Sequence, residues 1–70
     1  MKNKSKLTID SNGNKRWLLN GLLHRINGPA VELASGFKMW FLNGKQVNKE
    51  DIIIKANLTE REYLEFIMNL

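Results

Sequence analysis

Residues 13 to 21, GNKRWLLNG, and residues 36 to 44, GFKMWFLNG, agree at six of nine positions when Trp17 is aligned with Trp40. Both phrases end in Asn-Gly after an apolar run. That is the strongest local signal of a two-residue hairpin turn, because a type I′ turn needs positive φ at both central residues. A turn at Asn20-Gly21 sets Leu19 opposite Leu22, Leu18 opposite Leu23, Trp17 opposite His24 and Arg16 opposite Arg25. At Asn43-Gly44, Leu42 faces Lys45, Phe41 faces Gln46 and Trp40 faces Val47.

Between the copies, RINGPAVELASGF supplies a turn at Asn27-Gly28-Pro29, a strand at Ala30 to Leu33 and a three-residue loop at Ala34-Ser35-Gly36. That loop pairs Leu33 with Phe37, Glu32 with Lys38, Val31 with Met39 and Ala30 with Trp40. Shifting this strand back by the offset that carries Trp40 onto Trp17 predicts an opening strand at Leu7 to Asp10. The expected β part, residues 7–47, is a meander of about six short strands closed by tight turns.

After Val47 the pattern becomes helical. Asn48 caps a helix over KEDIIIKA, with Glu50 and Asp51 suited to its N-terminal dipole. Thr59 opens a second helix, in which Glu62 completes a capping box. Tyr63, Leu64, Ile67 and Met68 form an apolar stripe at helical spacing. The predicted class is therefore α+β: an antiparallel meander of two repeated hairpin units, then two C-terminal helices in residues 48–70 packed on the sheet.

At 70 residues the chain is one domain near the lower size limit for a self-sufficient core. It has no Cys and one His, which excludes disulfides and argues against an ordinary zinc site. No metal or cofactor is expected. No apolar run approaches the roughly 18 residues of a membrane span, and no apolar segment follows the N-terminal lysines as in a signal peptide. The expected location is the cytoplasm. Charge is uneven: residues 1–49 carry nine Lys/Arg against Asp10 and Glu32, a balance of +7, whereas residues 50–70 total −3.

Alternation along the strands assigns faces. Lys15, Trp17, Leu19, His24, Lys38, Trp40 and Leu42 share one; Leu18, Leu23, Val31, Leu33, Phe37, Met39 and Phe41 share the other. Both faces of strand 37–41 are apolar, more than two short helices cover, so a homodimer or a protein-binding face is expected. The expected core includes Trp17, Leu19, Val31, Leu33, Met39, Trp40, Phe41, Ile53, Leu64 and Ile67.

The run WLLNGLLHRINGPAVELASGFKMWFLNG resembles the repeats of small bacteriophage proteins, in which an aromatic, Asn-Gly, His-Arg and Gly-Pro-Ala recur at fixed spacing. These are similar to MORN repeats. The first unit carries the whole pattern in Trp17, Asn20, Gly21, His24, Arg25, Gly28, Pro29 and Ala30. The second keeps Trp40, Asn43 and Gly44 but reads Val47-Asn48 in place of His-Arg, as a terminal unit would. The resemblance implies a β-hairpin repeat fold and a binding or scaffolding role, with a host protein such as a defence or toxin component as partner and the bacterial host cytoplasm as location.

His24-Arg25 is the most enzyme-like dipeptide, yet no second catalytic group lies beside it in the expected pairing, and packing against Trp17 explains it. The chain is read as non-enzymatic. Lysines around Trp17 and Trp40 suggest nucleic-acid binding as the alternative, and a basic arm at residues 1–6 adds to it. Membrane binding is disfavoured because both helices lean acidic. The expected partner-binding residues are Arg16, His24, Arg25, Phe37, Met39, Trp40 and Phe41, the uncovered sheet face plus a basic rim at Arg16 and Arg25.

Overall fold

The computed structural model describes residues 5–70; Lys2 and Lys4 of the expected basic arm lie outside the described residues, and Lys6 belongs to the first strand. Six strands follow in order: β1 (Lys6–Ile9), β2 (Lys15–Leu19), β3 (Leu22–Leu23), β4 (Val31–Glu32), β5 (Lys38–Leu42) and β6 (Lys45–Val47). They form an antiparallel sheet in the order β1-β2-β4-β5-β6, with β3 beside β2. Two helices, α1 (Lys49–Lys55) and α2 (Glu60–Met68), complete the chain and pack against the sheet.

The repeat is as plain in the backbone as in the letters. Asn20 and Gly21 take φ 53° and 81°, and Asn43 and Gly44 take 51° and 83°, the left-handed pair that a type I′ turn requires. These turns set Leu18 against Leu23 and Trp40 against Val47, as expected. The three-residue loops repeat too. Asp10 N–H donates to Asn14 O at 3.1 Å in the first, and Leu33 N–H to Phe37 O at 2.9 Å in the second.

One expected pair does not form: Arg16 lies opposite Val31, not Arg25. The cause is the length of β3, which leaves the sheet after Leu23. One edge of β2 is therefore shared, its C-terminal half with β3 and its N-terminal half with β4. At the junction Trp17 bonds to both sides of the gap, its N–H donating to Ala30 O at 2.8 Å and its C=O accepting from His24 N–H at 3.0 Å. The chain between these points folds inward as a plug.

That plug is the interior. His24, Arg25, Ile26, Gly28, Pro29, Ala30 and Val31 are all buried, and only Asn27 in this run is less so. Of the expected core, Val31 is buried; Trp17, Leu19, Leu33, Met39, Trp40 and Phe41 are half-buried; Ile53, Leu64 and Ile67 are exposed. In the helices the buried residues are Ile52 and Phe66.

The helical correction has a polar cause. Glu65 and Asn69 turn toward the plug: Asn27 Nδ2 donates to Glu65 Oε1 at 3.3 Å, and Asn69 Nδ2 donates to Asn27 O at 3.0 Å. Phe66, between them, goes inward, and the stripe Tyr63, Leu64, Ile67 and Met68 is left facing out. The caps follow the sequence. Thr59 N–H donates to Glu62 Oε1 at 2.9 Å while Glu62 N–H donates to Thr59 Oγ1 at 3.2 Å, and Asn48 N–H donates to Asp51 Oδ2 at 3.3 Å.

Candidate interaction site

Six of the seven expected contact residues separate into three places, and Phe41 stands apart from them. His24 and Arg25 are in the plug. The Arg25 side chain is only 10% exposed, and that burial lowers its pKa while the Glu32 carboxylate opposes the shift. It is held accordingly. Its guanidinium carbon lies 3.8 Å from the centroid of the Trp17 ring, Nε donates to Asn27 Oδ1 at 3.0 Å, and Nη1 donates to Pro29 O at 3.0 Å. A longer contact of 3.5 Å reaches Glu32 Oε2. The charge thus receives a π face, a carbonyl, an amide and a carboxylate, the set of partners a buried cation needs.

Gly28 is part of this arrangement. A Cβ there would stand 2.8 Å from the Arg25 guanidinium carbon. The Gly-Pro that follows His-Arg therefore supplies space for the arginine head and, through the Pro29 carbonyl, one of its acceptors.

His24 links the two repeats. Its Nδ1 accepts from Asn43 N–H at 3.0 Å, so the histidine of the first unit ties down the Asn-Gly turn of the second. This bond requires a neutral ring with the proton on Nε2. Beside it lies an open cavity of about 270 Å³ walled by Leu19, Ile26, Leu42, Lys55 and Ala56. Burial lowers the His24 pKa below its ordinary 6.5. Between that lowered value and about 6.5 the folded form binds fewer protons than the unfolded one, so stability declines as pH falls through this window. The expected result is a urea midpoint that drops between pH 7.5 and 5.5, and an Asn43 amide that loses hydrogen-exchange protection before the β1–β2 amides do. A midpoint flat over that range would show that His24 does not control the turn.

Arg16 sits away from the plug. Its Nη1 donates to Asp10 Oδ2 at 3.2 Å on the exposed surface. The Asn14 N–H, at 3.0 Å from Asp10 Oδ1, is the chief cause that lowers the Asp10 pKa to about 2; the Arg16 bond adds a smaller share. The basic rim is thus divided, with Arg16 exposed and Arg25 enclosed.

Phe37, Met39 and Trp40 come together. They line a groove of about 280 Å³ with Val47, Asn48 and Lys49, between the N-terminal half of β5 and the start of α1. Phe37 is exposed, whereas Trp40 is half-buried and its indole Nε1 is a buried polar atom with no hydrogen-bond partner among the described residues. Phe41 is half-buried, and its carbonyl accepts from Arg25 N–H at 3.3 Å.

The surface that pattern reading missed is on the helices. Ile54 of α1 and Met68 of α2 are 76% and 84% exposed, and Ile53, Tyr63, Leu64 and Ile67 are exposed as well. Its residues were legible as a stripe, but the stripe's direction was not. No helix among the described residues is long and apolar enough to cross a membrane, and no group of three or more His, Cys, Asp or Glu among them is placed to hold a metal ion. Comparison with family descriptions, with curated proteins and with solved structures finds no match to this chain.

Proposed function

We propose that this chain is a small non-enzymatic module that binds another protein, in line with the phage-type repeat it resembles, and modulates a host protein such as a defence or toxin component. The observation that carries this reading is the outward apolar stripe of α2, with Ile53 and Ile54 of α1 also exposed. Apolar surface of this kind on a small domain is the usual mark of a partner surface. The segment around it holds Glu50, Asp51, Glu60 and Glu62 against Lys55 and Arg61, while Glu65 faces the plug. Its chemistry suits a partner with an apolar centre and a Lys/Arg rim.

The test is capture by immobilised protein followed by direct binding to the captured species. Ile54→Glu with Met68→Glu changes two side chains that touch little of the fold, so the urea midpoint should hold while affinity falls at least about tenfold. Full affinity in that folded variant would move the contact away from the helices. The alternative, nucleic-acid binding, keeps its lysines but loses a stacking platform, because Arg25 occupies a face of the Trp17 ring.

A further inference from the structure

The internal repeat contains an interface whose register is visible. The two units join where β4 lies along the N-terminal half of β2, with Glu32 opposite Lys15 and Val31 opposite Arg16. Under the offset that carries Trp17 onto Trp40, the β2 positions become Lys38 and Met39 on β5. The same offset run backwards turns the β4 positions, Glu32 and Val31, into Ile9 and Thr8 on β1.

Neither of these edges has a strand partner among the described residues. On its outer edge β5 is paired by β6 at Trp40 to Leu42, and no described strand pairs with Lys38 and Met39 on that side. The chain enters α1 there instead of returning as a strand, and the groove of about 280 Å³ stands in the gap. Its wall is unfinished in a second respect. In the first unit Arg25 covers Trp17, but the equivalent position of the second unit is Asn48, and Trp40 keeps a buried indole N–H without a partner among the described residues.

At the other end of the sheet, β1 pairs with β2 on one edge and with no described strand on the other. Its residues are exposed, Leu7 and Ile9 at 47% and 58%. An edge strand carrying exposed apolar side chains, with no proline to block it, is a template for pairing.

We infer that the groove on β5 is the seat of β1 from a second copy of this chain, head to tail, with Ile9 of the second copy opposite Lys38 and Thr8 of the second copy opposite Met39. The contact reproduces between molecules the junction that β2 and β4 make within one. It also brings Asp10, the residue after Ile9, to an edge that carries Lys38 and Lys49 together with Glu50, a net positive lining in which Lys38 Nζ already donates to Leu70 O at 3.2 Å. Because two different edges meet, the contact is heterologous, and its repetition builds a ring or an open chain of copies. Without the covalent connection that raises local concentration inside one molecule, the association is weak and rises with protein concentration.

The chain has no cysteine, so cross-linking is a clean test. Ile9→Cys and Lys38→Cys are made singly and together. Under mild oxidation the double variant should give a ladder of linked species, and a mixture of the two single variants should form dimers at least about tenfold faster than either alone, since only paired positions meet disulfide geometry. Light scattering on the unmodified protein provides the second reading, with apparent mass rising from micromolar to millimolar concentration. A mixture that links no faster than its components overturns the inference. So does a mass that stays at one chain throughout, whatever the fold of the variants.

Discussion

Replacing Arg25 with alanine should leave the protein largely unfolded at room temperature. Removing one member of a buried, hydrogen-bonded charge set costs about 3–5 kcal/mol, and a domain of this size holds only about that much in total. The loss is not of charge alone. Asn27 Oδ1 and the Pro29 carbonyl lose their donors, the Trp17 ring loses its cover, and Glu32 loses its interior contact. Arg25→Lys should also be destabilised, because a point charge cannot reach the amide and the carbonyl in one planar geometry. Urea unfolding followed by tryptophan emission measures both, and Trp17 reports directly on the site. Gly28→Ala adds an internal control. In the native background its Cβ collides with the guanidinium, which should cost about 1–3 kcal/mol. In an Arg25→Lys background the slimmer head leaves room, so the two changes should be less than additive. Full additivity would show that Gly28 is needed for its backbone and not for the arginine.

Phe66→Ala should be nearly as severe, at about 3–5 kcal/mol, while Ile54→Ala and Met68→Ala should each stay within about 0.5 kcal/mol. The contrast separates the structure from the pattern. Phe66 is 1% exposed beneath the helical layer, whereas Met68, two positions on and part of the apolar stripe, faces solvent. Thermal unfolding of the three variants decides it. If Met68→Ala were the damaging change, α2 would be rotated on its axis from the arrangement described.

Most of the architecture was legible because it is local. Asn-Gly needs only its own φ values to reverse the chain, and the hairpin registers follow by counting outward from Asn20-Gly21 and Asn43-Gly44. The interior was not legible, because it is built from a connection, and alternation says nothing about a segment that leaves the sheet. Counting outward from the first turn placed Arg25 beyond the real end of β3, on the surface beside Arg16. Nothing local distinguishes an arginine on a strand edge from one folded under an indole. In α2 the period was correct and the direction was not. The helix turns its Glu65 and Asn69 side toward Asn27, a partner far from both in sequence, and hydropathy carries no sign of such a bond. Of the expected contact residues, the groove unites Phe37, Met39 and Trp40, because they lie together where β6 stops short.

Most domains take insertions in their connections, since those run over the surface. Here the segment from His24 to Ala30 has no slack. It must leave at the Trp17 carbonyl and return to the Trp17 N–H, and an added residue would have to displace a side chain already buried. The loops at 11–13 and 34–36 are exposed and carry no such limit. The length of the repeating unit is therefore governed by the volume beneath the sheet: the strands can fray or extend, but the connection that fills the interior has to keep its count.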